Sequence, residues 1–137
     1  MRSFNFNKIY ITNRTKEKAI ELVKRLTPGL IGNGIEVLDW GKIPDVSLVV
    51  NTTSLGLNQN DDLQLDFKNY KSKKNSIFYD LIYNPKETKF LLSAKKYGFT
   101  TLNGLMMFVY QAAHAFEIWH KAKPEIDRKL ITFIKND

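Results

Sequence analysis

The sequence predicts an α/β fold built on a parallel sheet, and three observations predict it. Short apolar runs alternate with stretches of helical periodicity, the pattern of successive βαβ units. One run, Val46 to Asn51, is almost wholly apolar, as expected of a strand buried on both faces. A chain of 137 residues with 43% apolar content suits one ordinary domain with its own core.

Each element has a local reason. Lys8 to Thr12 reads as a short strand. Lys16 to Leu26 puts Ile20, Val23 and Leu26 on one helical face, with Thr15 before it as the expected N-cap. Ile35 to Leu38 and Val46 to Asn51 read as strands. Residues 58 to 75 are polar and are expected to form a loop with little structure of its own. Ser76 to Asp80 is another strand. Lys86 to Tyr97 is helical and Gly98 ends it. Phe99 to Leu102 is a short strand, Asn103 to Lys121 a long helix, and Pro124 opens a last helix with Ile126, Leu130 and Ile134 on one side. No repeat and no domain-length linker interrupts this order. The alternation is that of a doubly wound, Rossmann-like parallel sheet with carboxy-terminal helices.

Composition narrows the chemistry. Without cysteine there are no disulfides, thiolate metal sites or cysteine nucleophile. The formal charge of +7 permits either a polyanion surface or a lysine-rich composition with a local site for a phosphorylated cofactor. Lys71, Lys73 and Lys74 lie in a polar stretch and read as a solvated loop. No nucleic-acid recognition motif is present, so no nucleic-acid partner is expected. The first eight residues lack the apolar centre of a signal peptide, and no apolar run approaches the ~20 residues of a membrane helix. The expectation is a soluble, cytoplasmic protein with no membrane partner.

The glycine-rich fingerprint of dinucleotide binding, strand then G-x-G-x-x-G then helix, is absent. Gly29, Gly32 and Gly34 follow a helix and precede a strand, the reverse context, and read as a turn. The first strand nevertheless ends in Thr12-Asn13-Arg14-Thr15. In a doubly wound sheet the end of strand two meets the adenosine ribose, where an acid suits NAD and an arginine suits the 2′-phosphate of NADP. The chain therefore reads as a partial fold that begins at strand two, lacking the first strand and the glycine-rich loop. Taken alone, Arg14 reads more readily as a surface arginine.

Four segments in order supply the context: Asn13-Arg14-Thr15; Asn51 to Gly56 (NTTSLG); Asp80 to Thr88 (DLIYNPKET); and Asn103 to Ala113 (NGLMMFVYQAA) with Ala115, Phe116 and Trp119. Together they resemble the carboxy-terminal, NADP-binding domain of the shikimate dehydrogenase family, from about Lys8 onward. The resemblance implies that Asn13, Arg14 and Thr15 clamp the adenosine 2′-phosphate, with Lys18 as a further cation. It implies that Thr53 lies beside the cofactor, that Leu81, Gly104 and Met107 border its nicotinamide end, and that Tyr83 and Gln111 hold shikimate. The family often has glycine where Met106 stands. No acid occupies the first motif, so the resemblance is to the NADP-dependent branch.

On the helix itself, Leu105, Phe108, Ala112, Phe116 and Trp119 form one apolar stripe, with Met107 and Gln111 away from it. His114 and His120 have no partner motif and read as surface or packing residues. The implied reaction is reversible reduction of 3-dehydroshikimate to shikimate by NADPH, within the route to chorismate and the aromatic amino acids. The family's catalytic lysine and aspartate lie on an amino-terminal substrate domain with no counterpart here, so no catalytic residue and no metal ligand is assigned. Residues 1–137 are read as a partial NADP-binding domain awaiting that missing domain as partner. The alternative is an inactive fragment or a nucleotide-binding module. A sheet without its first strand would expose unpaired backbone groups on strands two and four, so either those strands are expected to pair directly or another chain to supply the missing part, with poor stability in isolation.

Overall fold

The structure is a computed structural model that describes residues 7–26, 34–58, 60–70 and 75–136. Its order is β1 (Ile9–Thr12), α1 (Lys16–Leu26), β2 (Ile35–Leu38), β3 (Leu48–Asn51), β4 (Ile77–Asp80), α2 (Lys89–Lys96), β5 (Thr100–Leu102), α3 (Leu105–His120) and α4 (Arg128–Asn136). Every expected element is present and helix α1 has the expected bounds, but the last helix starts at Arg128 rather than Pro124, which leaves Ile126 before it. Gly29, Gly32, Lys71, Lys73 and Lys74 lie outside the described residues.

All pairing is parallel. Strand β1 pairs with β2, with Ile9 opposite Ile35. Strand β4 pairs with β3 on one side and β5 on the other. These are two separate sheets, of two and three strands. In the strand order 3-2-1-4-5-6, removal of strand one leaves such a pair and such a triplet. Of the two outcomes expected for the flanking strands, direct pairing of β1 with β3 does not occur among the described residues.

This corrects the reading of Val46 to Asn51. Burial on both faces was expected, but Leu48 and Val50 remain 46% and 39% exposed. A continuous apolar run reports what a strand can bury; with β4 on one side only and no layer over its outer face, β3 buries one face.

The core is aromatic and belongs to the second sheet. Phe78 of β4 is 0% exposed. Its ring lies 5.0–5.8 Å, centroid to centroid, from those of Phe67, Tyr70, Phe90 and Phe99. Phe90, Leu91 and Ala94 supply the buried face of α2. Its start is capped by Thr88, whose hydroxyl oxygen accepts from the Leu91 N–H.

The stretch 58–75 has no regular element among its described residues, as expected, yet it is not an idle loop. Leu63 and Phe67 are buried in this core. The Tyr70 hydroxyl donates to the Val46 carbonyl at 3.0 Å and so ties the loop to the approach to β3. Trp40 and Ile43, which follow β2, also pack on this cluster, and Asp66 N–H donates to Gly41 O at 2.9 Å.

Helix α3 carries the expected apolar stripe, and little of it is buried. Its buried contacts are Leu105 and Val109, near its start. The stripe beyond them is open: Phe108, Phe116 and Trp119 are exposed, Trp119 by 76%. Helical periodicity identifies an apolar face but not what covers it.

Phe78→Ala is expected to cost about 3–5 kcal/mol by transfer and cavity terms. In a chain with this much exposed apolar surface, that should abolish the near-ultraviolet aromatic dichroism and any cooperative thermal transition. Retention of both would place the core elsewhere.

Candidate functional site

The carboxyl ends of parallel strands are where open α/β sheets bind ligands. Here the ends of β3 and β4 are tied together by buried side chains. Asp80, the last residue of β4, is 0% exposed. Its Oδ1 accepts from Asn51 Nδ2 and from the Ile82 N–H, both at 3.0 Å. Its Oδ2 accepts from the Thr88 hydroxyl at 2.6 Å. Asn51, its register partner at the end of β3, uses its other atoms on the next loop. Asn51 Nδ2 donates to Leu55 O at 3.0 Å, while Oδ1 accepts from Thr53 N–H at 3.0 Å and from the Thr53 hydroxyl at 2.8 Å.

That loop also carries a carboxylate clamp. Asp61 Oδ2 accepts from the N–H groups of Gly56 and Asn58 at 3.2 and 3.1 Å. The Asn58 N–H, then the Gly56 N–H, hold the Asp61 carboxyl below its ordinary value. A depressed folded-state pKa means that this clamp stabilises the loop above the usual aspartate range. Its contribution is lost as pH falls through the depressed value.

Gly104 joins the third loop. An added Cβ would lie 1.9 Å from the Leu81 carbonyl oxygen, so the two backbones touch only because residue 104 lacks a side chain. The Gly104 N–H donates to Ile82 O at 3.1 Å, and Asn103 Nδ2 donates to Lys86 O at 3.0 Å. Between these loops lies an open cleft of about 400 Å³ lined by Leu57, Leu81, Ile82, Tyr83 and Asn84. The Asn84–Pro85 peptide bond on its wall is cis.

The structure thus brings together Leu81, Tyr83 and Gly104 from the expected site set, with the Thr53 loop alongside through Leu57. The Tyr83 ring stacks on Phe108, with centroids 4.6 Å apart, which joins the cleft to α3. Met107 is half-buried and Gln111 exposed on the same helix. Thr53 itself turns inward: its hydroxyl donates to Asn51 and accepts from the Leu55 N–H at 3.1 Å.

The remaining set lies on the other sheet, where β1 meets α1. Asn13 Oδ1 accepts from the Thr15 N–H at 2.9 Å. The side-chain acceptor at this corner is therefore Asn13, whereas the expected cap, Thr15, gives its carbonyl to Lys18 N–H at 3.1 Å. Nearby Asp39 draws in Lys16 at 2.6 Å and Lys42 at 3.2 Å, and these bonds, Lys16 first, hold its carboxyl below the ordinary value. Among the described residues, Arg14 and Lys18 are exposed and form no ion pair. Two uncompensated cations beside the start of a helix make a favourable setting for an anion.

Sequence reasoning missed the polar side chains that shape these loops: Asn51, Asp61, Asp80 and Thr88. Asn51 and Asp80 stood inside the motifs, each the polar last residue of an apolar strand, and that position was the available signal. His114 lies 3.5 Å from Glu117 on the exposed surface of α3, and the His120 ring packs on Phe116. No group of three or more His, Asp or Glu side chains is placed to hold a metal among the described residues, and none of their helices is long and apolar enough to cross a membrane.

Gly104→Ala places a methyl group against backbone that cannot rotate away. The expected result is a loss of about 3 kcal/mol or complete misfolding of the α3 start, read from the denaturation midpoint. An unchanged midpoint would contradict the close approach.

Similarity to known proteins agrees with this geometry. The family profile described as the shikimate 5′-dehydrogenase C-terminal domain matches residues 104–128. The NADP(+)-dependent shikimate dehydrogenase of Pelagibacter ubique is 45% identical over 134 residues, which are 98% of this chain and 48% of that protein. A crystal structure of a shikimate dehydrogenase in complex with NADP+ superposes with a TM-score of 0.68 at 32% identity, covering 87% of this chain and 43% of that one. A ligand-free 5-ketofructose reductase from Gluconobacter gives a TM-score of 0.70 at 30% identity, covering 86% and 43%. The chain spans about half the length of the curated relatives it matches. The chain is therefore similar over nearly its whole length to NADP(+)-dependent shikimate dehydrogenases, and its residues 104–128 match the model of that enzyme's C-terminal domain.

Proposed function

We propose that this chain is the NADP-binding part of a shikimate dehydrogenase, which interconverts 3-dehydroshikimate and shikimate. The observation that carries the cofactor choice is the charge pattern after β1. Asp39 pairs with Lys16 and Lys42, while Arg14 and Lys18 form no ion pair among the described residues. A guanidinium presents paired donors to a phosphate, so Arg14 suits the 2′-phosphate that distinguishes NADP from NAD. Asn13 holds the turn that presents it. The names of the curated relatives specify NADP(+).

The cleft at the other sheet suits the reacting end. Its volume, about 400 Å³, is that of a small-ligand pocket. NADPH, when bound, supplies the hydride. The chain's own residues bind and orient. Gly104 keeps the Leu81 backbone tight against the start of α3, leaving the cleft open for a flat ring. Tyr83, its ring fixed by Phe108, and Gln111 supply polar groups for a hydroxylated substrate. Residues 1–137 then form a partial NADP-binding domain, and the acid-base pair comes from a substrate domain outside it.

Titration calorimetry with NADPH and NADH tests the cofactor assignment. Arg14→Ala should weaken NADPH about 10- to 100-fold and leave NADH nearly unchanged, since a charged hydrogen-bonded pair to the 2′-phosphate is lost. Equal losses, or none, would refute the clamp. Turnover of shikimate with NADP+ by this chain alone would refute the placement of the acid-base pair.

A further inference from the structure

We infer that Asp80, acting through Asn51 and Thr88, is a positioning residue that sets the spacing of the two loops around the nicotinamide end of the site. The inference rests on the reading of that cleft as part of an NADP site, and it concerns what holds the cleft in shape.

The strands themselves do not need this network. Asn51 and Asp80 are register partners, and the backbone pairing of β3 with β4 already continues past them through Leu81 N–H to Asn51 O at 3.1 Å. The side chains act beyond the strand ends. Three donors from three places converge on one carboxylate: the Asn51 amide, the Ile82 N–H and the Thr88 hydroxyl. Only an acceptor on both oxygens satisfies them together. An amide at position 80 would turn an NH2 group toward Thr88, whose hydroxyl oxygen already accepts from the Leu91 N–H at the start of α2.

The same carboxylate controls the opposite wall. By holding one N–H of the Asn51 amide, Asp80 fixes which way that amide faces. Its oxygen is thereby presented to both donors of Thr53, and its second N–H to Leu55 O. The loop then folds back onto the Asp80 side. At Gly56, with φ of +119°, an added Cβ would lie 3.0 Å from Thr88 Cγ2 and 3.2 Å from Ile82 Cδ1. Leu57 on one loop and Leu81 to Asn84 on the other are the cleft walls. The Thr53 hydroxyl is committed to this fold, so Thr53 contributes through loop shape.

The test separates the two halves of the cofactor. Binding of NADPH and of 2′,5′-ADP, which carries only the adenosine and its phosphates, is measured for the full chain and for Asp80→Asn, Thr53→Val and Thr53→Ser. Thr53→Val keeps the shape of a half-buried residue while removing two hydrogen bonds. Asp80→Asn and Thr53→Val should weaken NADPH about tenfold, with 2′,5′-ADP changed less than about twofold, and Thr53→Ser should restore most of the NADPH affinity. Parallel loss of both ligands would mean a merely structural role and would overturn the inference, as would unchanged NADPH binding in Thr53→Val. A wild-type chain that binds 2′,5′-ADP as tightly as NADPH also overturns it while sparing the 2′-phosphate clamp. A wild-type chain that binds neither overturns the NADP reading itself.

Discussion

A buried carboxylate at the end of a central strand organises the functional end of this molecule. Asp80 is fully enclosed and accepts hydrogen bonds from Asn51, Ile82 and Thr88. An enclosed carboxylate is costly unless its oxygens are satisfied, and here three directed donors meet it. That requirement makes the loops after β3 and β4 mutually dependent. Removing the Thr88 hydroxyl would take from the buried Asp80 Oδ2 its donor, a penalty of about 1–3 kcal/mol, so the arrangement resists loosening on that side. The third loop joins through the contact of Gly104 with the Leu81 backbone and through the Asn103 amide, which donates to Lys86 O.

The two sheets divide the work by charge and by polarity. The corner after β1 is exposed and cationic, with Asp39 pairing with Lys16 and Lys42. The cleft after β4 is lined largely by aliphatic and aromatic side chains. A ligand with a phosphorylated sugar at one end and a flat ring at the other has chemistry matching both. Because the aromatic core around Phe78 lies directly behind β4, the cleft is backed by the best-packed part of the chain. The β1–β2 sheet has a thinner interior; Ala19 is the buried residue of α1.

Much of this was legible in the sequence. Element order, parallel pairing and the bounds of α1 followed from apolar spacing, because short runs bounded by polar residues leave few alternatives. The four motifs located the strand ends and the residues at them. Burial was less legible. Val46 to Asn51 looked doubly buried, yet Val50 is exposed, and the α3 stripe was legible as an apolar face while its exposure at Trp119 was not. Apolar pattern records capacity for contact, whereas burial needs a partner surface. The stretch 58–75 failed for a different reason: Leu63 and Phe67 enter the core from an irregular segment with no period to read. The Asp80 network was hidden because it links distant stretches of sequence, Asn51 and Asp80 being 29 residues apart.

The central claim is that the corner after β1 and the cleft after β4 are two ends of one NADP site. Amide chemical-shift mapping of the isotopically labelled chain, titrated with NADP+, tests it most directly. The expected result is a single saturable transition in which the amides of Arg14 and Lys18 shift together with those of Leu81 and Gly104. Shifts confined to scattered exposed lysines, or saturation of the two regions at different ligand concentrations, would contradict it.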